Sequence, residues 1–105
     1  MTFAERVYEV LREVPKGKVT TYKAIAEKLG TKAYRAVGQA LRNNPYAPEV
    51  PCHRVVRSDG SIGGFMGKTI GVEVEKKVRM LESEGIVIEN GKVVNFDRFV
   101  FVLYF

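Results

Sequence analysis

Residues 19–45, Val-Thr-Thr-Tyr-Lys-Ala-Ile-Ala-Glu-Lys-Leu-Gly-Thr-Lys-Ala-Tyr-Arg-Ala-Val-Gly-Gln-Ala-Leu-Arg-Asn-Asn-Pro, decide how this chain folds. Thr21 is placed to cap a short helix beginning at Tyr22, because a threonine hydroxyl accepts from the free amides of a first turn. Ala24, Ile25, Ala26 and Leu29 supply that helix's packing, and Gly30 suits the left-handed residue that ends it. Thr31 can cap a further helix running through Ala33–Arg42, which has to stop before Asn43-Asn44-Pro45 because a residue preceding proline is driven out of the helical region. Two short helices joined by a tight turn make a helix-turn-helix pattern, whose second helix is the usual nucleic-acid reader. Small helical hairpins of other function look the same at this level, so charge has to separate them. Within 16–42 the charged residues are Lys16, Lys18, Lys23, Lys28, Lys32, Arg35 and Arg42 against Glu27 alone. Such an excess marks a polyanion-binding face.

Upstream, Thr2-Phe3-Ala4-Glu5 matches a capping box, and Phe3, Val7, Val10, Leu11 and Val14 recur at helical spacing until Pro15 and Gly17 end the run. Downstream, a loop with Pro48 and Pro51 leads to a short strand over 54–57 and a turn at Ser58-Asp59-Gly60-Ser61. Glycines 63, 64, 67 and 71 mark an irregular loop whose backbone can come near a ligand, without the spacing of a phosphate-binding P-loop. The next helix is expected over 73–84, with Val74, Val78 and Leu81 inward and Gly85 as its stop. Residues 86–89 and 92–94 flank Asn90-Gly91, the signature of a hairpin with a type I′ turn. The apolar run 99–105 reads as another strand, packed on the core or a partner.

At 105 residues, 46% hydrophobic and 28% charged, the composition is that of one ordinary soluble domain. No apolar run approaches the roughly 18 residues that span a membrane. The opening residues lack the basic-then-apolar order of a signal peptide. A single cysteine excludes an internal disulfide and a cysteine-rich zinc site, so the expectation is a reducing cytoplasmic setting with no metal and no cofactor. Charge is uneven: residues 1–57 hold eleven Lys/Arg against five Asp/Glu, whereas 58–105 hold six against seven.

The one cysteine and the one histidine are neighbours, in Pro51-Cys52-His53-Arg54-Val55. A thiol beside an imidazole and a fixed cation is the minimal kit for an activated sulfur nucleophile. The adjacency alone also fits a small buried residue next to a core histidine. In a strand, moreover, neighbouring side chains point to opposite faces, so cooperation between Cys52 and His53 needs a turn or a bridging water.

Arg35-Ala36-Val37-Gly38-Gln39-Ala40-Leu41-Arg42-Asn43-Asn44-Pro45 followed by Pro51-Cys52-His53-Arg54-Val55 resembles the C-terminal active-site domain of the O6-alkylguanine-DNA alkyltransferases, the methylated-DNA–protein-cysteine methyltransferases, over about residues 3–85. The resemblance implies a mainly α fold with small β elements, a winged-helix-like helix-turn-helix DNA-binding domain. It implies one alkyltransferase-type domain over 1–105, with the helix-turn-helix at about 20–44, the active-site loop at 45–72 and a C-terminal helix and hairpin at 73–105. The implied partner is double-stranded DNA containing O6-alkylguanine, met by a monomer.

The same resemblance assigns roles. Cys52 accepts the alkyl group from guanine O6 as a thioether that nothing removes, so each molecule acts once. Glu84 holds His53, and His53 polarises a water that deprotonates Cys52. Asn44 braces the turn that carries the cysteine, and Tyr22 donates a proton toward guanine N3. Arg35 enters from the minor-groove side and fills the space left by a flipped nucleotide; flipping is required because O6 inside a stacked duplex is out of reach. Ala36, Gly38 and Arg42 join Arg35 and Tyr22 on the DNA-binding face. The alkylguanine pocket comprises Cys52, Val55, Phe65, Met66 and Gly67, with the Cys52 and Val55 carbonyls toward the guanine amine.

Three features depart from the family pattern: Phe65 stands where Tyr is usual, the segment 68–72 is longer, and residues 86–105 have no evident counterpart. The family's N-terminal domain is also without a counterpart here. That shortness suggests an alternative, a non-catalytic alkyltransferase-like protein that binds lesions and recruits other repair factors. Those proteins, however, typically carry Trp at the position of Cys52. A plain helix-turn-helix regulator would have no use for the cysteine loop.

Overall fold

The computed structural model describes residues 1–63 and 71–103. Its elements, in chain order, are α1 (Phe3–Leu11), β1 (Thr20–Thr21), α2 (Tyr22–Lys28), α3 (Tyr34–Arg42), a 3-10 turn (Cys52–Arg54), β2 (Val55–Val56), α4 (Val72–Ser83), β3 (Ile88–Glu89), β4 (Lys92–Val93) and α5 (Phe96–Phe99). The mainly helical fold with small strands expected from sequence is the observed one.

Helix α1 starts on the expected capping box: the Thr2 hydroxyl accepts from the Glu5 amide and the Thr2 amide donates to the Glu5 carboxylate. It buries Val7, Tyr8, Val10 and Leu11, and full burial of a side chain such as Leu11 contributes about 2 kcal/mol. The Tyr8 hydroxyl donates to the Ala40 carbonyl at 2.7 Å, fixing α3 against α1 in the same core. Helix α2 is capped by Thr21, whose Oγ1 accepts from the Ala24 amide at 3.0 Å. Gly30 follows at φ +71°, the left-handed conformation that turns the chain toward α3.

Helix α3 begins at Tyr34, later than the sequence suggested. The Thr31 hydroxyl accepts from the Ala33 amide only two residues on, so it closes a local turn and leaves Ala33 as a cap residue with no side-chain bond.

Strands β1 and β2 pair in parallel, Thr20 with Val55 and Thr21 with Val56. Alternation sends Val55 into one apolar cluster, with Leu11, Ile25, Val37, Val50 and Cys52, and Val56 into a second, with Val19, Ile62, Leu81, Ile86 and Val93. The strand is shorter than the 54–57 expected, because Arg54 belongs to the 3-10 turn. Helix α4 spans Val72–Ser83 with Glu84 as its C-cap, one residue displaced from the sequence reading.

Asn90 and Gly91 both have positive φ, 52° and 73°, as the turn between β3 and β4 requires. The tail differs from the strand expected over 99–105. A short helix, α5, precedes a single parallel bridge between Val100 and Val19, with the Val19 amide on the Phe99 carbonyl at 2.9 Å and the Phe101 amide on the Val19 carbonyl at 2.7 Å. Leu103 then reaches the first apolar cluster. Residues 86–103 are therefore built into the fold: the hairpin packs on the second cluster and the tail bridges Val19, just before β1.

Candidate active site and nucleic-acid interface

The loop after α3 is held by Asn44. Its Nδ2 donates to the Val50 carbonyl at 2.9 Å while its Oδ1 accepts from the Tyr46 amide at 2.9 Å. These two bonds, across a segment rich in proline, deliver residues 50–52 to the edge of the first cluster. Cys52 opens the 3-10 turn with 8% of its surface exposed. The turn is what the cysteine–histidine pair needed, yet the imidazole does not swing onto the sulfur; it points at α4.

His53 is 2% exposed and its Nε2 lies 2.9 Å from Glu84 Oε2. An ionised carboxylate only accepts, so Nε2 carries the proton and Nδ1 is left with its lone pair. Nδ1 is buried and has no hydrogen-bond partner among the described residues. Glu84 also accepts from Arg54, Nε to Oε1 and Nη2 to Oε2, both at 2.9 Å. Burial works against the Glu84 carboxylate, but the Arg54 and His53 bonds outweigh it and hold its pKa down to about 2. Burial lowers the pKa of His53, with Arg54 and Lys77 in the same direction and Glu84 opposing.

These shifts fix a pH dependence. A carboxylate with a depressed folded pKa contributes stability above its unfolded value of 4.5, and that contribution is lost as pH falls toward about 2. A histidine with a depressed folded pKa leaves the unfolded chain binding the extra proton below 6.5, so it too loses stability on acidification. Denaturant titrations are expected to show stability falling below about pH 6.5 and again below about pH 4.5. Glu84→Gln is expected to shrink the lower stage, leaving the part that Glu5 and Asp59 supply.

Lys77 lies in α4 with its side chain fully buried, and was not anticipated. Its Nζ donates to the Val55 carbonyl at 2.7 Å and to the Ile62 carbonyl. Burial draws its pKa down to about 7, with Cys52 opposing and Arg57 reinforcing that change. The available signal was its position, three residues after Val74 and four before Leu81 on the inward stripe. A lysine there reads as exposed unless a carbonyl acceptor is known. The Val55 carbonyl is therefore already occupied by Lys77, and the Cys52 carbonyl by the Val55 amide. Each carbonyl keeps one lone pair for a further donor.

Tyr22 stands at the start of α2, half-buried, with its hydroxyl 3.6 Å from where a Cβ on Gly63 would lie; Arg57 Nε is equally close to that point. Burial raises the phenol's pKa, Arg57 opposes the change and Cys52 adds to it. Tyr22, Arg57, Lys77 and Cys52 thus share one electrostatic neighbourhood. The pocket residues Phe65, Met66 and Gly67 lie outside the described residues, as does most of the longer segment 68–72.

On α3, Val37, Ala40 and Leu41 face the core, leaving Arg35, Gly38, Gln39 and Arg42 on the outer face at helical spacing. Arg35 and Arg42 are exposed, as are Lys16, Lys23 and Lys32; Lys18 and Lys28 are half-buried. Gly38 has ordinary helical geometry, and a Cβ built there meets nothing within 4 Å. No contact inside the molecule calls for a glycine, although one in a helix costs about 0.5–1 kcal/mol relative to alanine. Gly38→Ala is expected to stabilise the fold by that amount, read by thermal melting.

The described residues contain no cluster of His, Cys, Asp or Glu that could hold a metal ion, and no helix long and apolar enough to cross a membrane. Residues 2–86 match the family model of the 6-O-methylguanine DNA methyltransferase, DNA binding domain. A methylated-DNA–protein-cysteine methyltransferase of Methanothermobacter thermautotrophicus is 41% identical over 87 residues, 83% of this chain and 46% of the relative. That of Metallosphaera sedula is 48% identical over 88 residues, 84% of this chain and 52% of the relative. The chain spans about half the length of these two relatives. Among solved structures, the O6-methylguanine-DNA methyltransferase of Pyrococcus kodakaraensis superposes with a TM-score of 0.70 at 44% identity, covering 82% of this chain and 47% of that one. S. pombe Atl1 in complex with damaged DNA containing O6-carboxymethylguanine superposes with a TM-score of 0.80 at 33% identity, covering 94% of both chains.

Proposed function

This chain belongs to the 6-O-methylguanine DNA methyltransferase family, and from that premise we propose that it repairs duplex DNA by transferring the alkyl group of an O6-alkylguanine irreversibly to Cys52. One observation carries the reading: the chain's only thiol sits at the edge of the core on a braced turn, next to a neutral-poised imidazole whose far nitrogen is fixed by a carboxylate.

Arg35, Arg42 and the open backbone at Gly38 hold the DNA, and Arg35 occupies the gap when the lesion flips. The phosphate contacts supply affinity that falls with salt. The flipped base enters between Tyr22, the Val55 carbonyl and the segment containing Phe65, Met66 and Gly67. A water between His53 Nδ1 and Cys52 Sγ passes the thiol proton to the imidazole. Sulfur then attacks the alkyl carbon in line, the carbon–O6 bond breaks, and its electron pair goes to the guanine ring. Tyr22 donates a proton to N3 as that charge builds, and the proton held by His53 restores the balance. Glu84 and Asn44 act as positioning residues. Product guanine leaves, while the thioether stays and ends the molecule's working life. The lone thiol fits a reducing cytoplasm.

A second reading, lesion binding without transfer, takes its support from the likeness to S. pombe Atl1 over nearly the whole of both chains. Intact-protein mass after incubation with a duplex carrying O6-methylguanine separates the two. Gain of one methyl group per chain, located on Cys52, is the expected result. A saturable complex with protein of unchanged mass would overturn transfer in favour of the second reading.

A further inference from the structure

The Arg54 side chain makes no described hydrogen bond to Cys52 or to α3. Its guanidinium spends its donors on Glu84, through Nε and Nη2, and on the Val14 carbonyl, through Nη1 at 2.9 Å. Val14 closes the segment after α1, so one side chain ties that segment, the cysteine turn and the C-cap of α4 together. We propose that Arg54 is a positioning residue that holds His53 as the neutral Nε2–H tautomer by neutralising and orienting Glu84, so that the Nδ1 lone pair stays available to the reaction.

A bare carboxylate 2.9 Å from an imidazole stabilises the doubly protonated ring, which has no lone pair to offer. Glu84 is not bare: both its oxygens are engaged by a fork that matches a carboxylate in a plane. The ring therefore faces a nearly neutral pair, and Glu84 acts on it mainly as a directed acceptor. The other charged groups acting on His53 are Arg54 and Lys77, both cationic, so neither supplies a competing negative charge. Lysine at position 54 would keep the charge but lose the fork and the tie to Val14. The proposal rests on the transfer reading for its consequence, though not for its first measurement.

His53 is the only histidine, so the ring of an isotopically labelled chain can be followed by NMR without assignment ambiguity. The wild-type ring is expected to be the neutral Nε2–H tautomer at pH 7. In Arg54→Gln the titration midpoint of His53 is expected to rise by about one unit. Transfer to Cys52 is expected to fall by up to about fivefold at pH 6.5 and to recover by pH 8.5. Arg54→Lys, which keeps the charge without the fork, is expected to keep the midpoint within about half a unit of wild type and to restore only part of the rate at pH 6.5. A folded Arg54→Gln chain with an unmoved midpoint, or a rate lowered equally at every pH, would show a merely structural tie and overturn the proposal. Should Arg54→Gln fail to fold, the wild-type ring decides: a charged or Nδ1–H ring at pH 7 overturns it equally. The ring titration needs no DNA, so absence of transfer in the wild type would count against the repair activity and leave Arg54 to be judged on the ring alone.

Discussion

Cys52→Ser is expected to abolish alkyl transfer, with no methyl group on the protein by intact mass after prolonged incubation, while lesion-containing duplex is still bound within about threefold of wild type. A serine hydroxyl is the weaker nucleophile and is not ionised near neutral pH, and each 1.36 kcal/mol added to a barrier costs tenfold in rate. Binding survives because the residues proposed to hold DNA, Arg35, Gly38 and Arg42, sit on the outer face of α3 and make no described bond to Cys52. Oxygen is smaller than sulfur, so the 8% exposed site takes the change without overpacking. A Cys52→Ser chain that loses lesion binding in step with transfer would mean the thiol supports the pocket's shape, and the separation of reader from reactor would be wrong.

Lys77→Met carries the other large effect. The methionine chain fits nearly the same volume but leaves the Val55 and Ile62 carbonyls without the donor they share. Each buried polar group left unsatisfied costs about 1–3 kcal/mol, against which relief from burying an amine returns part. The net expectation is a loss of about 2 kcal/mol in denaturant unfolding at pH 7. Transfer should fall by about a hundredfold, since a misplacement of about 1 Å near a reacting centre costs that much.

The pH dependence provides an independent check. With a folded pKa of about 7 against 10.5 for the free side chain, the unfolded chain binds the extra proton between those values. Wild-type stability is therefore expected to rise with pH from about 7 toward 10, and the Lys77→Met chain should lack that rise. An identical slope in the two proteins would contradict the assignment.

The fold was largely legible because its signals are local. The capping box at Thr2, the cap at Thr21, Gly30 after α2 and the Asn90-Gly91 turn each act over four residues or fewer, and all are where the pattern put them. The start of α3 slipped because the Thr31 hydroxyl had two possible amides and took the nearer. The tail was misread because the pairing of Val100 depends on Val19, 81 residues away, which no window of sequence reports. At the site, Glu84 was found through family likeness, and the structure places it on His53. Lys77 and the fork of Arg54 on Glu84 were missed for a common reason: a charged side chain is read as solvated until its buried acceptors are known.

The bridge between Val19 and Val100 has a kinetic consequence. Thr20 and Thr21 pair with β2 while Val19, just before them, bridges Val100, so segments around residues 19, 55 and 100 must meet. On a ribosome adding about 5–20 residues per second, residue 100 follows residue 55 by roughly 2–9 s. Through that interval the new thiol rides on a strand pair whose neighbouring Val19–Val100 bridge has yet to form. Contacts this distant in sequence are also the slow ones to form in refolding. The nucleophile is therefore synthesised before the Val19–Val100 bridge can close, and the arrival of Val100 sets the time at which that part of its scaffold is finished.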